Sequence, residues 1–155
     1  EKPTLLFGAT LWTDMEYYVQ DGSSQDLNFF KGRAEMYMND FRYIKPKFTA
    51  NHWLSEHYTA REALDRYIDN AGQFKLLVMS HHAPHSNSLD LSYQRHVLDH
   101  CYISNLLEHY PDVKIWMHGH VHQRKDYQVG STRVLCNPVG YNGVQSESLR
   151  FILEI

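Results

Sequence analysis

Short apolar segments alternate with longer amphipathic or mixed segments along the chain, and this alternation predicts an α/β fold. The apolar segments are too short for helices and are bounded by turn-forming or polar residues, as buried strands are. Gly130-Ser131 separates two of them and favours a β-hairpin at that point. The predicted strands cover residues 4–12, 74–80, 113–117, 125–129, 132–136 and 149–155.

Helical periodicity is clearest over residues 55–70, with Ser55 or Thr59 as the expected N-cap and Gly72 just beyond the end. Residues 96–110 predict a second helix that Pro111 closes. Residues 26–44 predict some helix without a single period, inside an aromatic-rich excursion between core strands. Such an excursion is typical either of an active-site cover or of a packing subdomain.

Composition narrows the class of protein. The chain has 155 residues, 43% of them hydrophobic, which suits one domain or part of one. A net charge of -3 argues against general nucleic-acid binding. No apolar run approaches the length of a membrane span, and the first residues predict a strand instead of a signal peptide. Cys101 and Cys136 are expected to be reduced thiols in a cytoplasmic protein.

Histidine is the unusual component: six of the 11 histidines fall in two clusters, each at the end of a predicted strand. The clusters are His81, His82 and His85, and His118, His120 and His122. Alternate side chains of an extended segment point the same way, so the second cluster is expected to converge. Neutral imidazole is a common ligand of transition metals.

The carboxyl ends of strands in an open α/β sheet are where ligands bind, so the two clusters are expected to face one site. His81, His120 and His122 are the candidate ligands. Three histidines alone are able to hold a zinc ion with an open water position. No carboxylate neighbours them in sequence, and a bridging aspartate has to come from elsewhere.

The ordered motifs resemble those of the calcineurin-like metallophosphoesterases. A strand that ends at His81 and the later Gly119-His120-Val121-His122 match the last two metal motifs of that family. Segments 9–14 and 136–141 are also similar to segments that flank the site in some members. The resemblance extends over essentially the whole chain.

The resemblance implies two divalent metal ions, Mn, Fe or Zn, that lie about 3.5–4 Å apart and share a bridging hydroxide. It assigns His81 and His120 to the second metal and His122 to the first. His82 and His118 would orient the ligands or touch the substrate. Asn137 and Tyr141 are candidates for the lining of the substrate cleft, with turn formation and packing as their alternatives.

The chain departs from the family in one large respect. The motifs Asp-x-His, Gly-Asp-x-x-Asp and Gly-Asn-His are missing, and Asn51-His52 lacks the glycine that the last of them requires. We therefore expect residues 1–155 to be a single, partial domain: the C-terminal half of a four-layer α/β/β/α sandwich, with a mixed sheet and flanking helices. The N-terminal half would come from the same gene or from a partner chain.

The expected function is hydrolysis of phosphate mono- or diesters, with little activity in the isolated half. Two alternatives remain at this point. One is a mononuclear three-histidine zinc hydrolase, which is complete within these residues. The other is a non-catalytic binding or scaffold module that retains the fold.

Overall fold

The fold is known from a computed structural model that describes residues 2–17, 26–90 and 96–140. A five-stranded mixed sheet is its framework, with the strand order β1-β2-β3-β5-β4. Strands β1, β2, β3 and β5 are parallel, and β4 runs antiparallel to β5. The strands are β1 (Thr4–Ala9), β2 (Lys75–Ser80), β3 (Val113–His118), β4 (Lys125–Val129) and β5 (Thr132–Cys136). The α/β class and the mixed sheet are as the sequence predicts.

Three helices lie between β1 and β2. They are α1 (Leu27–Tyr37), α2 (Asp40–Tyr43) and α3 (Ala50–Asp69). The first two confirm the helix expected within residues 26–44 and end before Lys45-Pro46. The predicted hairpin is confirmed as β4 and β5, whereas the strand predicted at 149–155 lies outside the described residues.

The start of α3 corrects the sequence prediction by about a turn and a half of helix. The N-cap is Thr49, not Ser55 or Thr59: its hydroxyl accepts the His52 N–H, and the His52 ring accepts the Thr49 N–H in return. This reciprocal pair satisfies two donors that the first turn leaves free. The added residues bury Ala50, Trp53 and Leu54. The polar pair Asn51-His52 among them hid the helical period from the sequence pattern.

The helix predicted over residues 96–110 is wrong. The described part of this segment forms only two short 3₁₀ turns, Asp99–Cys101 and Leu107–His109. Its backbone instead bonds to the loop after β2, through Ala83 N–H to the Tyr102 carbonyl and Ser104 N–H to the Ala83 carbonyl. A backbone committed to a neighbouring segment has no groups left for a helical ladder.

Strand β1 is shorter than predicted, because the chain leaves the sheet after Ala9. Leu11 and Trp12 have φ values of 66° and 43°. This left-handed backbone is uncommon for side chains other than glycine, asparagine and aspartate, and it ends the extended run.

The two faces of the sheet differ in how they are covered. Helix α3 packs Leu64 against one face, where Val78, Val113, Trp116 and Val134 form the largest buried cluster. On the other face only a small cluster is buried, consisting of Leu77, Ile115 and Leu135. On that face Leu6 is 54% exposed and Met79 is 46% exposed. Parallel sheets are normally covered on both faces.

The parallel strands end in register, and this positions the loops that follow. Ala9 pairs with Ser80, Ser80 with His118, and His118 with Cys136. The carboxyl ends of four strands therefore lie side by side along one edge. The segments beginning at residues 10, 81, 119 and 137 all leave the sheet there.

Cys101 and Cys136 are both buried and unpaired, as expected of reduced thiols. Across residues 2–17, 26–90 and 96–140, no helix is long and apolar enough to cross a lipid bilayer.

The cap of α3 gives a test of the fold. We expect Thr49→Ala to lower the free energy of unfolding by about 1 kcal/mol, because it removes the capping hydroxyl. Ser55→Ala is the matched control: Ser55 is exposed inside the helix, so its replacement is expected to leave stability unchanged or slightly higher. Urea unfolding measures both. A larger loss for Ser55→Ala than for Thr49→Ala would contradict this helix boundary.

Candidate functional site

Main-chain hydrogen bonds connect the loops that leave the aligned strand ends. The N–H groups of His81 and His82 both lie 3.3 Å from the Thr10 carbonyl, which accepts from them. Gly119 N–H donates to the His81 carbonyl over 3.1 Å. Hydrogen bonds thus connect the first residues of the loop after β1 with those of the loop after β2, and the loop after β2 with the loop after β3. This brings the two histidine clusters together, as the strand-end argument expects.

The loop after β1 offers its carbonyl oxygens to buried aromatic rings. The Leu11 carbonyl lies 2.7 Å from His57 Nδ1, and the Thr13 carbonyl accepts from Trp53 Nε1 over 3.1 Å. The Trp12 ring packs on Trp53, with ring centroids 4.5 Å apart. These bonds hold Leu11 and Trp12 in their left-handed conformations, which cost about 1–3 kcal/mol each.

His81 and His120 form the closest pair of candidate ligands. His120 Nδ1 lies 3.1 Å from His81 Nε2, a hydrogen bond if one nitrogen carries a proton. Metal–imidazole bonds are about 2.0–2.1 Å long, so two nitrogens on one ion lie about 3.0 Å apart at a right angle and about 3.4 Å apart at a tetrahedral angle. The observed separation falls between these two values. The distance between these two nitrogens is therefore compatible with their binding one divalent cation.

His120 lies in a crowded, largely buried environment. Its ring centroid is 4.4 Å from that of His82 and 4.8 Å from that of Tyr102. Burial, together with the neighbouring imidazoles of His81 and His122, lowers the pKa of His120 to about 3. Burial also lowers the pKa of the more exposed His81. Both rings are neutral near pH 7, the form in which imidazole binds a metal.

His82 is buried and packs against the rings of His81 and His120. It is 1% exposed, and its Nδ1 lies 3.3 Å from the Thr10 carbonyl. Trp12 and Trp53 both pack on the ring, at centroid distances of 5.3 and 5.1 Å. Burial holds the pKa of His82 well below its usual range. The contact with the His120 ring suits a residue that orients the ligand.

His118 does not point to the same place as His120. Its Nε2 lies 2.9 Å from Ser88 Oγ, and its Nδ1 lies 2.9 Å from the Gly119 carbonyl. The φ of His120 is 63°, so the backbone is not extended there and the alternation of side chains breaks. The left-handed residue is His120, directly after Gly119. The three histidines of this cluster therefore do not all converge on one point, because His118 points away from His120.

The remaining candidates occupy the rim or lie outside the described residues. His122 is exposed, although its charge lowers the pKa of His81 and His120, which places it in their electrostatic neighbourhood. Asn137 is exposed directly after β5, and Tyr141 is outside the described residues. No group of three or more histidine, cysteine, aspartate or glutamate side chains is arranged to hold a metal in the part of the chain that the structure describes.

A cleft of about 580 Å³ opens beside His120 and His122. Its walls include residues that the sequence did not single out, namely Asp40, Ser88, Asp90 and Tyr102. The Asp40 carboxylate opposes the effect of burial on the pKa of His81, so this acid lies within electrostatic range of the histidine pair. Gln123 donates to Asp90 and joins two walls of the cleft. These residues reach it from α2 and from loops, which no motif spacing in the sequence reveals.

The comparisons with known proteins give one structural match. The crystal structure of phosphopantetheinyl hydrolase (PptH) from Mycobacterium tuberculosis matches with a TM-score of 0.64 and 14% sequence identity, over 91% of this chain and 52% of that chain. No protein-family model and no curated protein matches. The chain therefore shares the fold of this hydrolase and spans about half of its length.

Buried neutral histidines make stability depend on pH, and His100 allows a test away from the histidine pair. Burial lowers the pKa of His100 to about 4. The unfolded chain binds a proton below about pH 6.5, whereas the folded chain resists it, so stability is full above that pH and is lost as pH falls toward 4. Between pH 7.5 and 5.5 we expect His100 to account for about 1 kcal/mol of lost stability.

The variant His100→Gln removes this titration and keeps an N–H for the Phe30 carbonyl, which His100 Nε2 contacts at 3.2 Å. Denaturant unfolding in EDTA at both pH values measures the difference. We expect the variant to lose less stability than the wild type on acidification. Identical losses would show that His100 titrates normally.

Proposed function

We propose that this chain supplies the histidine half of a metal-dependent phosphoesterase site that hydrolyses phosphate mono- or diesters. The observation that carries the proposal is the approach of His81 Nε2 to His120 Nδ1, 3.1 Å apart, at the carboxyl ends of aligned parallel strands. His120 of this pair lines a cleft with room for an organic substrate. The fold shared with a hydrolase and the motif resemblance support the same assignment.

Two divalent metal ions, Mn, Fe or Zn, complete the proposed site. His81 and His120 would hold one of them and His122 the other. When bound, such ions supply an activated water and stabilise charge on the phosphoryl oxygens. The remaining ligands, among them a bridging aspartate, would come from residues beyond this chain, because no group of three or more possible ligands is arranged to hold a metal among the described residues.

The chain's own residues would orient the ligands and shape the cleft. His82 and the Thr10 carbonyl fix the rings beneath the pair, so His81 and His120 need little reorganisation on binding. Burial keeps these imidazoles unprotonated, which preserves their lone pairs for the metal. Tyr102 and Val121 give the cleft apolar surface for the organic part of the ester. Asn137, which follows the end of β5 directly, stays a candidate for contact with the substrate.

The uncovered sheet face supports the proposal that the chain is half of a four-layer domain. Leu6 on the edge strand β1 and Met79 on its neighbour β2 are more exposed than apolar side chains on a covered sheet face. We propose that a second sheet from the missing half, in the same gene or a partner chain, covers this face. The match to about half of the PptH chain is what such a division predicts.

The metal site is tested by replacing the central ligand. In the full-length protein with Mn²⁺, we expect His120→Ala to lower the turnover of p-nitrophenyl phosphate and of its bis ester by at least about 100-fold, because a ligand is lost. A phosphopantetheinyl-linked substrate belongs in the same panel, given the activity named for the structural match. The control is His109→Ala, since His109 is exposed and precedes β3 at its opposite end. Equal rates for His120→Ala and the wild type would refute the assignment.

The covered sheet face has its own test. We expect Met79→Asp to cost the full-length protein at least about 2 kcal/mol, because a covered carboxylate lacks water and a partner. Tyr43, which is 76% exposed, gives the control Tyr43→Asp, with an expected change within about 0.5 kcal/mol. Thermal or urea unfolding measures both. If Met79→Asp is as mild as the control, the face is open to solvent and the four-layer proposal fails.

A further inference from the structure

A chain of side-chain hydrogen bonds runs from β4 to the loop that carries His120. Tyr127 Oη lies 2.7 Å from Ser88 Oγ, which lies 2.9 Å from His118 Nε2. His118 Nδ1 then lies 2.9 Å from the Gly119 carbonyl. Ser88 is 1% exposed and His118 is 7% exposed, so water is largely excluded from these contacts. The link is built from three buried or half-buried groups that the proposed chemistry does not use directly.

The donor and acceptor roles along this link follow from its last member. A carbonyl oxygen only accepts hydrogen bonds, so His118 Nδ1 carries a proton and donates a hydrogen bond to the Gly119 carbonyl. The Nε2 of the neutral ring is then bare and accepts from the Ser88 hydroxyl. Ser88 Oγ in turn accepts from the Tyr127 hydroxyl. Each hydrogen bond of the link therefore has one defined donor, and the link selects a single tautomer of His118.

The Gly119 carbonyl at the end of the link also closes the turn that presents His120. It accepts from Val121 N–H over 2.7 Å, which forms a three-residue turn with His120 at its centre. The φ of 63° at His120 belongs to the strained form of such a turn. The peptide unit that this carbonyl belongs to leads directly into His120 and sets the direction of its side chain.

We propose that Ser88, with Tyr127 behind it, is a positioning residue: it fixes the His118 tautomer that holds the Gly119 carbonyl and so aims His120 Nδ1 at His81. This inference rests on the proposed function, in which His120 is a metal ligand. A serine beside a histidine Nε2 is also the arrangement of a nucleophile and its base. Ser88 is enclosed and already receives a hydrogen bond from Tyr127, which favours the positioning role.

The test combines nitrogen NMR of the histidine rings with calorimetric binding of Mn²⁺ to the full-length protein. His118→Gln identifies the His118 signals. In the metal-free wild type we expect a protonated Nδ1 and a bare Nε2 on this ring. In Ser88→Ala the bare Nε2 signal shifts, and Mn²⁺ affinity falls about 10-fold, as is typical when a group behind a ligand is removed. Tyr127→Phe should give a smaller change in the same direction.

Ser86→Ala is the matched control, because Ser86 belongs to the same short turn, Ser86–Ser88, and should leave both readouts unchanged. A wild-type His118 with its proton on Nε2, or Mn²⁺ affinity unaltered by Ser88→Ala, would overturn the inference. A covalent phosphoserine at residue 88 during turnover would overturn it in favour of the nucleophile role. A wild type that binds no Mn²⁺ would instead refute the proposed function, and with it the role of Ser88.

Discussion

The common register of the parallel strands is the constraint on which the site depends. Ala9, Ser80, His118 and Cys136 lie side by side, so four loops begin at the same edge of the sheet. Backbone pairing alone therefore brings His81 and His120 together from positions 39 residues apart. A slip of one residue in either strand would reverse the direction of every side chain in it. The geometry of the histidine pair is thus inherited from the buried part of the sheet.

Irregular backbone conformations in the loops place the side chains of the site more exactly than the strand alignment alone. Leu11, Trp12 and His120 adopt left-handed conformations that cost about 1–3 kcal/mol each. In return, the Thr10 and Leu11 carbonyls contact His82 and His57. Strain in the loops is held by buried hydrogen bonds and aromatic packing. The result is a set of neutral rings kept close together.

Sequence reasoning found the elements whose signals are local. Short apolar runs located β2 and β3, and Gly130-Ser131 located the hairpin, since both signals are contained within a few residues. The start of α3 was missed, because its cap lies beside a proline segment and the polar pair Asn51-His52 interrupts the apolar period. The segment 96–110 was misassigned because its backbone partners, Ala83 and Pro84, are remote in sequence.

The same division applies to the site. Strand ends followed by histidines predicted that the two clusters face one site, and the family resemblance then paired His81 with His120. The direction of His118 was not predictable, because it depends on the left-handed backbone at His120 and on Ser88 from another loop. Asp40 reaches the cleft from a helix of four residues, and no spacing in the sequence connects it with the histidines. Contacts between residues far apart in sequence determine where the side chains of His118 and Asp40 lie.

We propose that one divalent cation binds between His81 and His120, whose nitrogens lie 3.1 Å apart. The most direct test is a crystal structure of the full-length protein grown with Mn²⁺, with the anomalous signal of manganese measured to locate the ion. The account predicts an anomalous peak bonded to both His81 Nε2 and His120 Nδ1. The proposal would be contradicted if, at saturating Mn²⁺, the two rings were still hydrogen-bonded to each other and any anomalous peak lay elsewhere.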